Sequence, residues 1–420
     1  MDIFNKYLSG MIMPIMLIIL GIFFTFKLKC FYILHPIKTL KTVISSQSGG
    51  FKSLSVALAG TLGIGNIVGV ASAILLGGAG SIFWMWVSAI CAMSVKYVEV
   101  NLAMRFRQHK NGNFYGGAPY YIRDGLKSKF GFKWAYILSF IFAIFCIINS
   151  LTTGNLVQVN SVSALFPFSP LLFGIIFTVL AYLAIIGGLN RISKITSVLI
   201  PLLSLVYVAL CLFIILQNFY VVPSIFSEIV FDAFSFKSAS SGFVGFGISD
   251  ALRYGVSRGV LSNEAGCGTS PTAHASSNNL DPHSQGCLGV FEVFVDTILM
   301  CTLTAFVILI AKPTIVESPM ELILSSFGKF TGSLGSCTII FLSVSFAFAT
   351  VICQFFYGIE SLKYISKSKA SKLIFTLIFC LVSLIGAVIP MSLMWQISDL
   401  AIAAMTIVNL ACLFILRSNL

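Results

Sequence analysis

The chain has 420 residues, 58% hydrophobic and 10% charged, with mean hydropathy +0.99 and formal net charge +12. So few charges exclude an ordinary water-soluble domain, in which roughly 25% of residues are charged. The basic excess is spread between apolar runs rather than gathered on one face with interleaved aromatics, which excludes a nucleic-acid surface.

The apolar runs have the length needed to cross about 30 Å of hydrocarbon. Eleven spans are predicted, at 8–28, 54–76, 83–104, 135–156, 168–188, 197–217, 241–257, 285–311, 334–358, 373–391 and 395–416. Residues 8–28 are followed by Lys27, Lys29 and Cys30 rather than a small-residue cleavage site, so they read as a retained helix. With the N-terminus outside, 29–53, 105–134, 189–196, 258–284, 359–372 and the C-terminal tail lie inside. With the ends of their flanking spans, these segments carry 21 of the 26 Lys and Arg. That bias follows the positive-inside rule and predicts N-terminus outside, C-terminus inside. Apart from 8–28, ten spans divide five and five, so the halves insert with opposite orientation. The expected fold is an all-α polytopic membrane protein. An extra helix and linker at 1–53 precede a five-helix repeat at 54–217, an extracellular connection at 218–240 and an inverted second repeat at 241–420.

Two spans are interrupted by glycine at corresponding places, by Gly60-Thr61-Leu62-Gly63-Ile64-Gly65-Asn66 and by Gly242-Phe243-Val244-Gly245-Phe246-Gly247. In hydrocarbon, irregular backbone survives only where it lines a cavity or holds a ligand. A matched pair of broken helices points to the midplane site of a secondary transporter. Amides freed at Gly63, Ile64 and Gly65 begin the outer half-helix and suit an anion. Carbonyls from Ala59 through Thr61 to Leu62, ending the inner half-helix, suit a cation, and the Asn66 amide serves either. A solute carboxylate and a small cation are the expected guests.

Other chemistries lack their residues. The 11 Cys are scattered without CxxC pairs, and the four His (His35, His109, His274, His283) show no ligand spacing. Neither a nucleotide-binding Gly-rich loop nor a nucleophile–base constellation occurs, so neither ATP hydrolysis nor an enzyme is expected. Residues 105–134 form the longest segment between spans, with a turn at Gly116-Gly117-Ala118-Pro119 leading to aromatic Tyr120 and Tyr121. Of the charges in or near spans, Lys96 and Glu99 (i,i+3) are expected to pair near the inner interface, with Lys96 snorkelling. Asp250, Asp296 and Asp399 also fall in or beside spans; Asp296 is expected to carry a proton or to brace the broken helices. Arg258 and Glu264, in the stretch reaching Ser262-Asn263-Glu264-Ala265-Gly266, are expected just inside the membrane as a gate or hinge.

The stretch Gly60-Thr-Leu-Gly-Ile-Gly-Asn-Ile-Val-Gly-Val-Ala-Ser-Ala-Ile resembles the first-helix signature of the alanine/glycine:cation symporter family. So do Phe83-Trp-Met-Trp-Val, Lys96-Tyr97-Val98-Glu99 and, most specifically, Gly255-Val-Ser-Arg-Gly-Val-Leu-Ser-Asn-Glu-Ala-Gly-Cys-Gly-Thr-Ser-Pro-Thr-Ala-His-Ala. Weaker agreement runs through Gly154-Asn155-Leu156-Val157-Gln158 and Asp296-Thr297 to Trp395. The family is similar in fold to the leucine transporter. The resemblance implies a Na⁺-coupled symporter of a small neutral amino acid in the cytoplasmic membrane, with no cofactor and no metal beyond the transported cation. By position, the solute would meet Gly63, Ile64, Gly65, Asn66, Gln158, Phe243, Phe246 and Gln354, or Phe355 if the alignment slips by one. The cation would meet Ala59, Thr61, Leu62 and Thr350. Two departures stand out. Where the family usually shows a hydroxyl pair this chain has Ala349-Thr350, which leaves H⁺ as an alternative coupling ion. Where the family tends to place Trp it has Gln354, which predicts a more polar substrate such as serine, asparagine or glutamine.

Overall fold

The computed structural model describes residues 7–46, 48–110, 112–166, 169–235, 250–278, 281–312, 318–389 and 391–420. Its main helices are α1 (Met13–Lys27), α2 (Ser48–Thr61), α3 (Val68–Gly77), α4 (Gly80–Arg105), α5 (Ala118–Leu151), α6 (Val157–Ser163), α7 (Pro170–Ile185), α8 (Gly188–Gln217), α9 (Asp250–Asn263), α10 (Pro271–Ala275), α11 (Pro282–Val293), α12 (Thr302–Ala311), α13 (Pro319–Ile365), α14 (Lys369–Gly386) and α15 (Met391–Ile415). Helix is the only open-chain form that satisfies its own backbone in hydrocarbon. Among the described residues, eight helices are long and apolar enough to cross a membrane, or nine if the bent pair α2–α3 is one span. Helices α7 and α9, with 16 and 14 residues, are shorter.

Helix boundaries depart from the expected spans in two instructive places. The segment between 105 and 134 was read as a loop, yet it holds a small hairpin (Gln108–Lys110 with Asn113–Tyr115) and the first turns of α5. The helix kinks at Gly131 (φ 75°), between Lys127, Lys129 and Lys133, so its polar start is set off from the apolar run that follows. Helix α13 likewise begins well before 334 and kinks at Gly332 (φ 60°).

Packing separates a buried centre from a lipid-facing shell. Helix α4 and the second half of α13 are almost wholly buried. In contrast, α7 (Leu172, Ile176, Leu183), α8 (Leu202, Leu205, Leu216) and α14 (Leu373, Leu377, Leu381) present rows of exposed apolar side chains. Such patches on a chain this apolar suit contact with acyl tails.

Helix α9 sets the geometry of the site. A Cβ on Gly77 would stand 3.0 Å from the Asp250 carbonyl oxygen, and one on Gly65 would stand 3.1 Å from Ser262 Cα. Helices α3 and α9 therefore lie side by side and run in opposite directions, so α9 ends level with the break between α2 and α3. Beyond Asn263 the chain leaves the helix, and Glu264 (φ 50°), Gly266 (φ 85°) and Gly268 (φ 76°) take positive φ. Glycine tolerates that conformation, whereas Glu264 needs its surroundings to hold it there. Every residue from Val256 through Ala275 is buried, so most of the stretch expected as a connection between spans packs into the core.

Candidate functional site

The first break is where the sequence put it. Helices α2 and α3 meet at a 60° bend. An unbroken helix would give the amides of Gly63, Ile64 and Asn66 to the carbonyls of Ala59, Gly60 and Leu62. Here the Gly63 amide donates to Asn66 Oδ1 (3.1 Å), the Ile64 amide to Gln158 Oε1 (3.1 Å) and the Asn66 amide to the Gly63 carbonyl (3.3 Å). The inner half-helix thus ends in released carbonyls. One of them, Leu62 C=O, accepts from Thr350 Oγ1 at 3.4 Å. Two predicted amide donors are aimed at side-chain oxygens, in the direction a carboxylate would occupy. Of the expected solute contacts, Gly63, Ile64, Asn66 and Gln158 converge here, Gln158 being presented just after a π-helical turn at Thr152–Leu156. Such turns are frequent at functional sites.

Gly65, Thr61 and the two phenylalanines stand apart from this cluster. Gly65 packs its α-carbon closely against the backbone of α9 at Ser262. The Thr61 hydroxyl turns back to the Ala57 (3.3 Å) and Leu58 (3.4 Å) carbonyls, so only its backbone could serve a cation. Phe243 and Phe246, with their glycine-rich break, lie outside the described residues. Among those described, the second half faces the break through Leu261, Ser262 and Glu264. The signal for them was present: Gly266-Cys267-Gly268 repeats the Gly-x-Gly spacing of Gly63-Ile64-Gly65.

Asn66 joins the two halves. Its Nδ2 donates to Ser262 Oγ (2.9 Å), to Asp296 Oδ1 (2.8 Å) and to the Asp296 carbonyl (2.9 Å). The other Asp296 oxygen accepts from Ser262 Oγ and Thr297 Oγ1, both at 2.8 Å. Asp296, held in a π-helical stretch at Phe294–Cys301, braces the break at Asn66 against α9. Thr304, which the sequence did not single out, donates to the Asn66 carbonyl at 2.8 Å. Gln354 also reaches the centre: its Nε2 donates to Glu264 Oε1 (2.6 Å) and to the Gly60 carbonyl (3.4 Å). The alternative, Phe355, instead packs against Phe375 and Phe379 at 5.6 and 5.2 Å between ring centroids.

The Lys96–Glu99 expectation is corrected. Both side chains are fully buried and neither pairs with the other. The Lys96 ammonium donates to the Asn263 carbonyl (2.9 Å), Ser270 Oγ (2.7 Å) and Glu292 Oε1 (3.3 Å). Glu99 accepts from the Gly266 amide (3.2 Å) and from Asn409 Nδ2 (2.5 Å), which also donates to the Gly266 carbonyl (2.8 Å). Irregular backbone at 264–270 survives burial because these side chains satisfy it. Glu292 also accepts from His274 Nε2 (3.0 Å), whose Nδ1 meets Gln285 at 2.8 Å. Arg258 and Glu264, expected at the inner rim, are buried instead. Arg258 pairs with Asp399 (2.8 Å) and lies over Trp395 (4.6 Å).

From the Ser48 end, a polar cavity of about 390 Å³ opens beside α2 among Lys52, Ser53, Val56, Asn113, Lys194 and Asn278. It lies near Arg107, whose guanidinium donates to the Ala275 and Ser277 carbonyls.

A broken helix beside the unwound end of α9, at a buried polar centre inside a shell of apolar helices, defines a multi-pass helical membrane protein built like a transporter. The Sodium:alanine symporter family matches residues 1–420, and the chain belongs to that family. It is 35% identical to the sodium/alanine symporter AgcS of Methanococcus maripaludis, over 98% of this chain and 93% of that one. It is 33% identical to the probable sodium/glutamine symporter GlnT of Bacillus subtilis, over 98% and 87%. Identity to the uncharacterized transporter YflA of the same bacterium is also 33%, over 98% and 89%. Among solved structures, the fold is similar to that of a Na⁺-coupled sialic acid symporter in its substrate-bound outward-open state. The TM-score is 0.52 at 12% identity, over 95% of this chain and 81% of that one.

Proposed function

We propose that the protein is a secondary active symporter that carries a small neutral amino acid into the cell together with Na⁺. One observation carries the reading: the break at Gly63–Asn66 turns amides of the outer half-helix toward Gln158 and Asn66 oxygens, while Leu62 C=O meets the Thr350 hydroxyl. The first arrangement suits a substrate carboxylate, which would displace the Gln158 oxygen. The second suits a cation held by Ala59, Thr61 and Leu62 carbonyls with Thr350. The names of AgcS and GlnT support alanine-sized and polar substrates alike, and Gln354 favours the polar end: serine, asparagine or glutamine. In this reading the spans number eleven, as an extra helix plus two inverted five-helix repeats in the cytoplasmic membrane. The N-terminus is outside and the polar cavity beside α2 opens inward.

The test is uptake by purified protein in proteoliposomes, with a panel of amino acids and imposed Na⁺ or H⁺ gradients. Uptake driven by a Na⁺ gradient is expected. Uptake driven only by H⁺ would move the coupling ion, and uptake indifferent to both would leave a facilitator.

A further inference from the structure

Three buried carboxylates near the break, Glu99, Glu264 and Asp296, take part in no ion pair among the described residues. Asp296 is held by Asn66, Ser262 and Thr297, and Glu99 by Gly266 and Asn409, with no orphaned atom in those hydrogen-bonded sets. Glu264 differs. Thr269 Oγ1 donates to its Oε2 (2.5 Å) and Gln354 Nε2 to its Oε1 (2.6 Å). That contact fixes the orientation of the Gln354 amide, since the flipped form would set oxygen against carboxylate. Gln354 Oε1 is then left without a partner, although the residue is 1% exposed.

A second under-satisfied oxygen lies beside it. The Tyr357 hydroxyl, 0% exposed, has no nitrogen or oxygen partner, only the Cys353 thiol, and rests against Gly60, 2.8 Å from where a Cβ would stand. The Gly60 carbonyl was released when the Ile64 amide went to Gln158. A carboxylate, an amide oxygen, a backbone carbonyl and a phenol oxygen therefore gather around Gly60 and Gln354 with a surplus of acceptors. The nearest fixed cation acts on Glu264 only through space, because all three Lys96 protons are committed to Asn263, Ser270 and Glu292. Unpaired buried acceptors beside an unpaired carboxylate call for a cation.

We propose that Glu264, Gln354 Oε1, the Gly60 carbonyl and the Tyr357 hydroxyl form a second monovalent-cation site, separate from the one at Leu62 and Thr350. One carboxylate among neutral oxygens suits Na⁺ rather than a divalent ion, for which hard-oxygen sites usually gather several carboxylates. Among the described residues no cluster of three or more acidic, His or Cys ligands exists. Gln354 follows Thr350 by one turn of α13, so the two sites are about 6 Å apart along that helix. The count of two rests on the proposed Leu62–Thr350 site; the second site itself does not.

The experiment counts ²²Na⁺ bound at saturation by the purified full-length protein, without amino acid. Wild type is expected to bind two ions, Glu264→Gln one and Thr350→Val one. Wild type binding none would sink the Na⁺-symport reading together with the site. Wild type binding a single ion that Glu264→Gln retains and Thr350→Val loses would overturn only the second site. If Glu264→Gln does not fold, Tyr357→Phe decides, since it removes only a weak contact with the Cys353 thiol. Its second ion should bind at least about 5-fold more weakly, and unchanged binding of both ions overturns the site.

Discussion

Gly63→Ala tests the break where solute and cation are proposed to meet. Gly63 has φ −134° and ψ −151°, extended backbone that alanine accepts, so the effect comes from space alone. The new Cβ would stand 2.5 Å from Thr350 Oγ1 and 2.9 Å from Gln158 Oε1, where ordinary contact begins at 3.4 Å. The Thr350 hydroxyl must leave Leu62 C=O, and Gln158 must release the Ile64 amide. Overpacking of this kind costs about 1–3 kcal/mol. Stranding a buried N–H adds about 1–3 kcal/mol. Even the lower sum, about 2 kcal/mol, exceeds one factor of ten in binding. The assay is amino-acid uptake against Na⁺ concentration in proteoliposomes, at matched protein content. Half-saturation by Na⁺ should rise at least about 10-fold. Gly69→Ala is the control, since its Cβ meets nothing nearer than Leu261 Cδ2 at 3.9 Å and should leave the curve unchanged. A wild-type Na⁺ curve in Gly63→Ala, or equal damage in Gly69→Ala, would refute the reasoning.

Asn66→Ala strands the Gly63 amide and takes a donor from Asp296, at about 1–3 kcal/mol for each group. A lower melting temperature together with lost uptake is expected, and full wild-type uptake would show that the bridge to Ser262 and Asp296 is dispensable. Lys96→Met leaves Glu292 and the Asn263 carbonyl without their cation and should destabilise by about 3–5 kcal/mol. Lys96→Met with Glu292→Gln should recover part of that loss in thermal unfolding; a double variant as unstable as the sum of the singles contradicts the pairing. In Gln354→Trp, serine, asparagine and glutamine should compete with alanine less well than in wild type. An unchanged order of competitors would remove residue 354 from the solute's surroundings.

What the sequence disclosed follows from what is local. Span length, the first break and the convergence of Asn66 with Gln158 rest on apolar runs and on glycines whose released amides must find acceptors nearby. The second expected break, Gly242 through Gly247, lies outside the described residues, and the unwinding at Glu264–Gly268 was not foreseen. A Gly-x-Gly pair says that backbone can unwind but not whether distant side chains will satisfy it. Here they do: Lys96 reaches Asn263 across 167 residues, Glu99 reaches Gly266 across 167 and Asn409 reaches Gly266 across 143. The Lys96–Glu99 spacing was misread for the same reason. An i,i+3 pair on one helical face can bind itself, but it can also grip a chain laid across that face. Lys96 takes a carbonyl at the C-terminal end of α9, where the helix dipole favours a cation. Glu99 takes an amide from the unwound stretch that follows, where a carboxylate fits. The sign of each charge matches the backbone group it holds. A Lys and a Glu one turn apart in a buried membrane helix therefore read as a cradle for unwound backbone supplied from elsewhere in the chain.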